Sequence, residues 1–428
     1  MKKKISLILE AALEKIKPDK ETLNFIEKKT REFVQNSKKT AKKLKIDVEI
    51  FIGGSVAKGT LIKKELHDAD IFFRFSKKYL GKDLTKEMNK ILKENWKKTQ
   101  IHGSRDYFRI KVSNNFYIEA VPVIKINKPE EKENITDLSY SHVRYIKRKI
   151  KENPNVLKEI LLSKAFCQAK GIYGAESYIK GFSGYSLELL LIHYKTFENF
   201  LKKLSKLTKE KIIIDIEKQY PDKKRILLDI NESKLESPII LIDPTHRYRN
   251  ASAALSEETF RKFKREAKKF LKSPSISHFE PKKTDIDRIR RSAKRSGNEF
   301  ILVEIKTSKQ KGDIAGTKLF KFYNHFLEES KKYFDIKNKG FNYNNEKSAR
   351  FFVVAKKKKE IIHVGPSAKD PRNVQKFKKE HKRTFVRRGK LYAKTKPDFS
   401  LKAFVKKWSN KNSKKIEEMY IKDLKIID

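Results

Sequence analysis

The stretch Gly53-Gly54-Ser55-Val56-Ala57-Lys58-Gly59-Thr60, followed closely by Asp68-Ala69-Asp70-Ile71-Phe72-Phe73, constrains this chain more than any other. Only 15 glycines occur in 428 residues, and three of them fall within seven positions here. Glycine is used where the backbone takes dihedrals other residues avoid, or where it approaches a ligand closely. Residues 48–52 read as a strand, and Gly54-Ser55 then opens a turn. A second strand follows, with Ala69, Ile71, Phe73 and Phe75 on one face and Asp68 and Asp70 on the other, as a period of two requires. Neighbouring carboxylates repel unless a cation lies between them. Hard oxygen donors beside a Gly-Ser turn point to a Mg²⁺-dependent phosphate site. An Asp-x-Asp pair alone is a weak signal, because most such pairs sit on solvated strand edges; the glycine turn strengthens it. Glu119 adds a third carboxylate inside the otherwise apolar run 116–123, where a charge is costly without a partner.

Composition narrows the partners. Lys and Arg number 103 against 54 Asp and Glu, a net charge of +49. Such an excess predicts an anionic polymer as partner, bound less tightly as salt rises; a generally lysine-rich surface is the ordinary source of part of it. Cys167 is the only cysteine, which excludes a disulfide framework and a two-cysteine zinc site. Residues 1–9 resemble the start of a signal peptide, but Glu10 and Glu14 interrupt the apolar run, so a helix is expected. No run approaches 18 apolar residues, so no membrane span is expected, and the chain reads as soluble and cytoplasmic.

Residues 1–45 are helical by pattern, with Leu23, Ile26, Phe33 and Leu44 facing a core. Strands and helices mix through about 140, and the acidic stretch 129–137 reads as a connector. Helices then dominate: 155–170, and a helix from Ser186 whose stripe Leu187, Leu190, Leu191, Tyr194 and Leu201 is core. Residues 243–250 read as a turn, followed by a helix capped by Ser256. Ser273-Pro274-Ser275 marks a boundary. Strand 300–305, helix 313–334 and strands 350–355 and 360–364 form a separate βαββ module, with Lys356–Lys359 as a hairpin tip. Beyond 365, basic residues alternate with Phe377, Phe385, Tyr392, Phe399, Phe404 and Trp408, a mixture that suits RNA backbone and bases.

Gly-Ser followed about ten residues later by Asp-x-Asp resembles the nucleotidyltransferase superfamily of DNA polymerase β. The order of further blocks resembles one branch of it, the archaeal, class I CCA-adding enzymes, which are tRNA nucleotidyltransferases. Those blocks are Gly54-Ser55-x-Ala57-Lys58, Asp68-x-Asp70-Ile71-Phe72, Glu119-Ala120-Val121-Pro122, Lys164-Ala165-Phe166, Ala169-Lys170-Gly171-Ile172-Tyr173-Gly174-Ala175-Glu176, Gly181-Phe182-Ser183-Gly184-Tyr185, Asp243-Pro244 and Arg249-Asn250. The resemblance implies an α+β multidomain fold: a polymerase β-like catalytic head (1–140), a helical neck leading into an α/β body (141–275), an inserted βαββ tail (283–364) and a tRNA-binding C-terminal part of the body (365–428). It implies template-independent addition of C, C and A to tRNA 3′ ends from CTP and ATP, and it favours a homodimer.

Carried over by position, Asp68, Asp70 and Glu119 would hold two Mg²⁺ ions. The family more often has Glu at the first position and Asp at the third, so this chain reverses the pattern. Gly54, Ser55 and Lys58 would contact the triphosphate, with Lys where the family usually has Arg; His142, Lys164 and Tyr173 would grip triphosphate and sugar, and Arg249 would lie near the base. Taken singly, a lone His is more often a surface residue, a helical Lys solvated and a Tyr core; their order between matching blocks singles them out. A poly(A) polymerase-like enzyme and a catalytically silent tRNA-binding protein are the alternative readings.

Overall fold

Strands β1 (Val48–Ile52), β2 (His67–Phe75), β3 (Lys98–Ile101), β4 (Tyr107–Lys111) and β5 (Phe116–Ile124) are rich in β-branched and aromatic residues and form one sheet in the order β1-β2-β5-β4-β3. β2 and β5 run parallel, and the remaining pairs are antiparallel. Ala69, Ile71, Phe73 and Phe75 are fully buried on one face, as the alternation predicted. Helix Lys20–Lys43 starts at Asp19, whose carboxylate accepts from the Thr22 amide at 2.7 Å. It packs Ile26, Phe33, Val34 and Ala41 onto that face, at helical spacing. Leu44, expected in the core, is 46% exposed because it caps the helix after the last buried turn. The 129–137 connector is an anchor: Asp137 is buried and accepts from Arg105 at 2.6 Å and from the Ile124, Glu133 and Asn134 amides.

The structure is a computed structural model describing residues 2–94, 96–208, 211–281, 284–344, 346–381 and 383–427. They fall into two units, 1–282 and 283–428. The boundary expected at Lys283 itself lies outside the described residues. In the first unit, helices Asn155–Ala169, Gly184–Tyr194, Phe197–Ser205 and Glu257–Lys272 share a core of Phe166, Phe197, Phe200, Phe263 and Phe270. The helix expected to run from Ser186 through Leu201 breaks: Lys195 takes φ +69°, and Thr196 caps the next helix by accepting from the Asn199 amide. Residues 243–250 are a hairpin more than a turn. β6 (Ile212–Ile214), β7 (Ile239–Asp243) and β8 (His246–Asn250) form a small sheet, and Asn250 Oδ1 accepts from the Leu241 amide.

In the second unit, β9 (Glu299–Thr307), helix Asp313–Lys331, β10 (Phe334–Tyr343) and β11 (Ser348–Lys357) give the expected βαββ order, but with different strands. The sheet is β10-β11-β9-β15, closed by β15 (Ile421–Ile426) from the far end of the chain. β12 (Ile361–Ser367) leaves this sheet and joins β13 (Thr384–Arg387) and β14 (Lys390–Thr395) in the order β12-β14-β13. The split at 364/365 therefore does not follow the sheets, and the lysines at 356–359 link two sheets and do not tip a hairpin. Among the described residues no helix is long and apolar enough to cross a membrane.

Phe73 and Leu44 test this core. Phe73→Ala should lower the urea-unfolding free energy by about 3–5 kcal/mol, whereas Leu44→Ala should change it by no more than about 0.5 kcal/mol.

Candidate active site

The glycine turn is built against the carboxylates. The Gly53 amide donates to the Asp70 carbonyl at 2.8 Å, so the chain leaving β1 is tied to β2. Gly54 takes φ +55° at the start of the short helix Gly54–Lys58, and a Cβ there would lie 1.7 Å from Asp70 Oδ2. No other residue fits. Ser55 lies half-buried in that helix, which ends at Gly59 with φ +68°.

Asp68, Asp70 and Glu119 share one face. Asp70 stands opposite Glu119 and Asp68 opposite Tyr117 in the parallel β2–β5 register, while Ala69, Ile71, Ile118 and Ala120 line the buried side. Burial first, and then the charges of Asp68 and Glu119, raise the Asp70 carboxyl to about 7. Lys64 Nζ reaches Asp68 at 3.5 Å. Arg109, opposite Glu119 on β4, donates two hydrogen bonds to its Oε1, at 2.6 and 3.0 Å. Crowded carboxylate oxygens suit a hard divalent cation, and Asp68 and Asp70 meet that requirement by donor type and charge. Among the described residues, however, no three His, Cys, Asp or Glu converge into a metal-binding cluster. Glu119 is engaged with Arg109.

Beside this face lies a buried charge cluster that the sequence reading missed in part. Glu188 is fully buried; Lys58 Nζ donates to its Oε2 at 2.7 Å and Lys164 Nζ to its Oε1 at 2.7 Å. Lys164 also donates to the Thr60 hydroxyl at 2.8 Å and to its carbonyl at 3.4 Å, and the Thr60 hydroxyl donates to Glu188 Oε1 at 2.9 Å. Two cations around one anion explain the titration. Burial disfavours the charged Glu188, but Lys164 and Lys58 overcome it and hold its carboxyl at about 2; burial lowers Lys164 to about 8 although Glu188 opposes it. The signal for Glu188 was present: one acid inside the apolar run Leu187-Glu188-Leu189-Leu190-Leu191-Ile192.

His142 and Arg249 meet at a second buried acid. Asp243 Oδ2 accepts from Arg249 at 2.6 Å and from His142 Nε2 at 3.0 Å, and its Oδ1 accepts from the Tyr185 hydroxyl and the Thr245 amide. The His142 ring stacks on Tyr185, with centroids 4.1 Å apart. Burial lowers the His142 pKa more than its hydrogen bond to Asp243 raises it. Burial alone would raise Asp243, but the hydrogen bond from His142, the Arg249 charge and the Thr245 amide hold it well below the usual carboxylate range. Tyr173 bridges to Phe182 across the two glycine blocks. A Cβ on Gly184 would lie 2.9 Å from the Tyr173 hydroxyl and 3.8 Å from Lys164 Nζ, which places both beside the Glu188 cluster. All ten sequence-predicted residues therefore lie in the first unit, and they gather in three groups: the carboxylate face, the Glu188 cluster and the Asp243 cluster.

A carboxyl whose folded pKa is depressed contributes stability above its unfolded value of 3.8 and loses it as pH falls further. Asp243→Asn should therefore destabilise the protein by about 3 kcal/mol near pH 7, and thermal melts should show the deficit shrinking below pH 4.

Residues 158–280 match the family described as tRNA nucleotidyltransferase, second domain, a span that includes Lys164, Tyr173, Glu188, Asp243 and Arg249. The chain is 34% identical over 360 residues to the CCA-adding enzyme of Nanoarchaeum equitans, covering 82% of this chain and 85% of that one. It is 28% identical over 414 residues to the CCA-adding enzyme of Methanocaldococcus jannaschii, covering 92% and 88%. Among solved structures it is similar to a cytoplasmic RNA terminal U-transferase, with TM-score 0.51, 14% identity, and 66% of this chain and 100% of that one covered. The Cid1 poly(U) polymerase, solved with Mg and 3′-dATP, matches with the same TM-score and identity over 66% and 99%. At that identity the likeness shows the fold alone, a mixed α+β nucleotidyltransferase. The chain belongs to the CCA-adding enzyme family.

Proposed function

We propose that this protein adds C, C and A to the 3′ end of tRNA, taking CTP and ATP without a nucleic-acid template and releasing diphosphate at each addition. The observation that carries the reading is the in-register placement of Asp70 opposite Glu119, with Asp68 on the same face and the Gly54 turn against it. The tRNA 3′-hydroxyl loses its proton, its oxygen attacks the α-phosphorus, and diphosphate leaves. Asp68 and Asp70 would hold two Mg²⁺, with Glu119 joining them once released from Arg109; bound there, the ions would supply charge stabilisation at the attacking and leaving oxygens. The protein's own part is positioning and charge. Gly54 and Ser55 bring backbone close to the triphosphate, Lys58 and Lys164 offset its charge, His142 and Tyr173 hold phosphate and sugar, and Arg249, fixed by Asp243, faces the base.

In this reading residues 1–140 are the catalytic head and 141–275 the neck. The tail was expected at 283–364; because β12 leaves that sheet and β15 closes it, the β9–β11 and β15 sheet is read instead as the body and the β12-β14-β13 module as the tail set within it. The net charge of +49 suits a tRNA partner over a long track of phosphates. Cytoplasmic location and a homodimer complete the proposal, the latter read by light scattering.

Incubation of tRNA lacking its CCA end with Mg²⁺ should give two added nucleotides with CTP alone and three with CTP and ATP together. A poly(A) polymerase-like enzyme would ignore CTP and extend without a fixed stop, and a silent binding protein would add nothing. Asp70→Asn should abolish addition while tRNA binding survives; near-normal addition by that variant removes the assignment of the site. Gly54→Ala should behave likewise, because the added methyl displaces the Asp70 carboxylate.

A further inference from the structure

Glu188 touches neither the carboxylate face nor the Asp243 cluster, yet it is the most deeply buried charge beside the proposed triphosphate site. In its helix, Gly184–Tyr194, it sits within the otherwise apolar run 187–192. An acid in such a helix is costly unless its charge is met, and here it is met by two lysines arriving from different elements. Lys58 comes from the short helix after the glycine turn, and Lys164 comes from helix Asn155–Ala169. Two ammonium groups bonded to the two oxygens of one carboxylate are close enough to repel each other strongly. Without the anion they could not stand side by side in a buried place. Lys164 spends all three of its protons on Glu188 and Thr60. Lys58 donates to Glu188, and its charge also bears on Asp70 and His142.

We propose that Glu188 is a positioning residue for the nucleotide's triphosphate: it fixes Lys58 and Lys164 as a preset pair of cations beside the Asp68–Asp70–Glu119 face. The inference rests on the reading of this site as a nucleoside triphosphate site. One anion between two lysines leaves the cluster a net cation, which is what a polyphosphate requires. Thr60 completes the fixture by bridging Lys164 and Glu188 through one hydroxyl. The groups that face Lys164 are Glu188, Thr60, Lys58 and Lys64, with the Tyr173 hydroxyl beside it. Removing the Glu188 charge leaves Lys164 with cationic neighbours and a buried site, so it sheds its proton at a lower pH than before.

The test is steady-state kinetics of Glu188→Gln with tRNA lacking its CCA end, with KM for CTP, for ATP and for tRNA measured separately across pH 6.5–9.5. KM for both nucleotides should rise on the order of tenfold, the effect of one lost charge-assisted hydrogen bond, while KM for tRNA stays put. The alkaline limb of kcat/KM for CTP should move toward acid relative to the parent. To separate folding from positioning, the double variant Glu188→Gln/Lys164→Met removes both members of the buried pair. It should recover thermal stability relative to Glu188→Gln yet keep the raised nucleotide KM. Parent-like nucleotide KM and an unmoved alkaline limb in Glu188→Gln overturn the proposal, as does recovery of nucleotide KM by the double variant. A parent protein that adds no nucleotide at all overturns instead the reading of the site on which the inference rests.

Discussion

The parallel pairing of β2 with β5 is the constraint on which the site depends. Its register sets Asp70 opposite Glu119 and, through alternation, sends Ala69, Ile71, Phe73 and Phe75 into the core. A slip of one residue would exchange the two faces, moving the carboxylates into that core and Ala69, Ile71, Phe73 and Phe75 out of it. Four fully buried apolar side chains on β2 make such a slip prohibitive, so ordinary hydrophobic burial fixes the chemistry's geometry. Register is therefore specified by residues that never approach a substrate.

What could be read from the sequence follows the reach of its signals. The Gly54 turn, Asp68, Asp70 and the third carboxylate at Glu119 were legible because a period of two and a cluster of scarce glycines are local patterns. The buried stripe Leu187, Leu190 and Leu191 was legible for the same reason, at a period of 3.6. β10 was missed because Asp335, Lys337, Asn338 and Lys339 make it look polar, and its pairing with β11 supplies what its side chains do not. The pairing of β15 with β9 joins residues more than a hundred positions apart, and no local pattern announces it. Glu188 was hidden differently. Its apolar neighbours were read as a plain core stripe, and the partners that give it meaning, Lys58 and Thr60, lie 130 and 128 residues away.

Two buried acids, Glu188 and Asp243, follow one design. Each is fully buried, each is met by groups from several elements, and each is ringed by more donors than its charge alone requires. Buried ion pairs of this kind are weak sources of net stability, because desolvation cancels much of the attraction. Removing one partner is nevertheless severe. Such networks specify an arrangement more than they strengthen a fold, and here they fix the side chains that the sequence had marked for the nucleotide: Lys58, Lys164, His142 and Arg249.

The Arg109–Glu119 pair belongs to a different class. Its side chains retain 30% and 19% exposure, against 3% and 0% for Lys164 and Glu188. Water that reaches a pair screens its attraction and solvates either partner when it opens, so a part-exposed pair costs about 1 kcal/mol or little more to separate, whereas opening a fully buried one costs about 3–5 kcal/mol. The extra methylene of Glu119 adds reach to the side that must move. The part-exposed Arg109–Glu119 pair therefore opens at lower cost than the buried Lys164–Glu188 pair. The site thus sets a firmly held buried cluster beside a more readily opened ion pair.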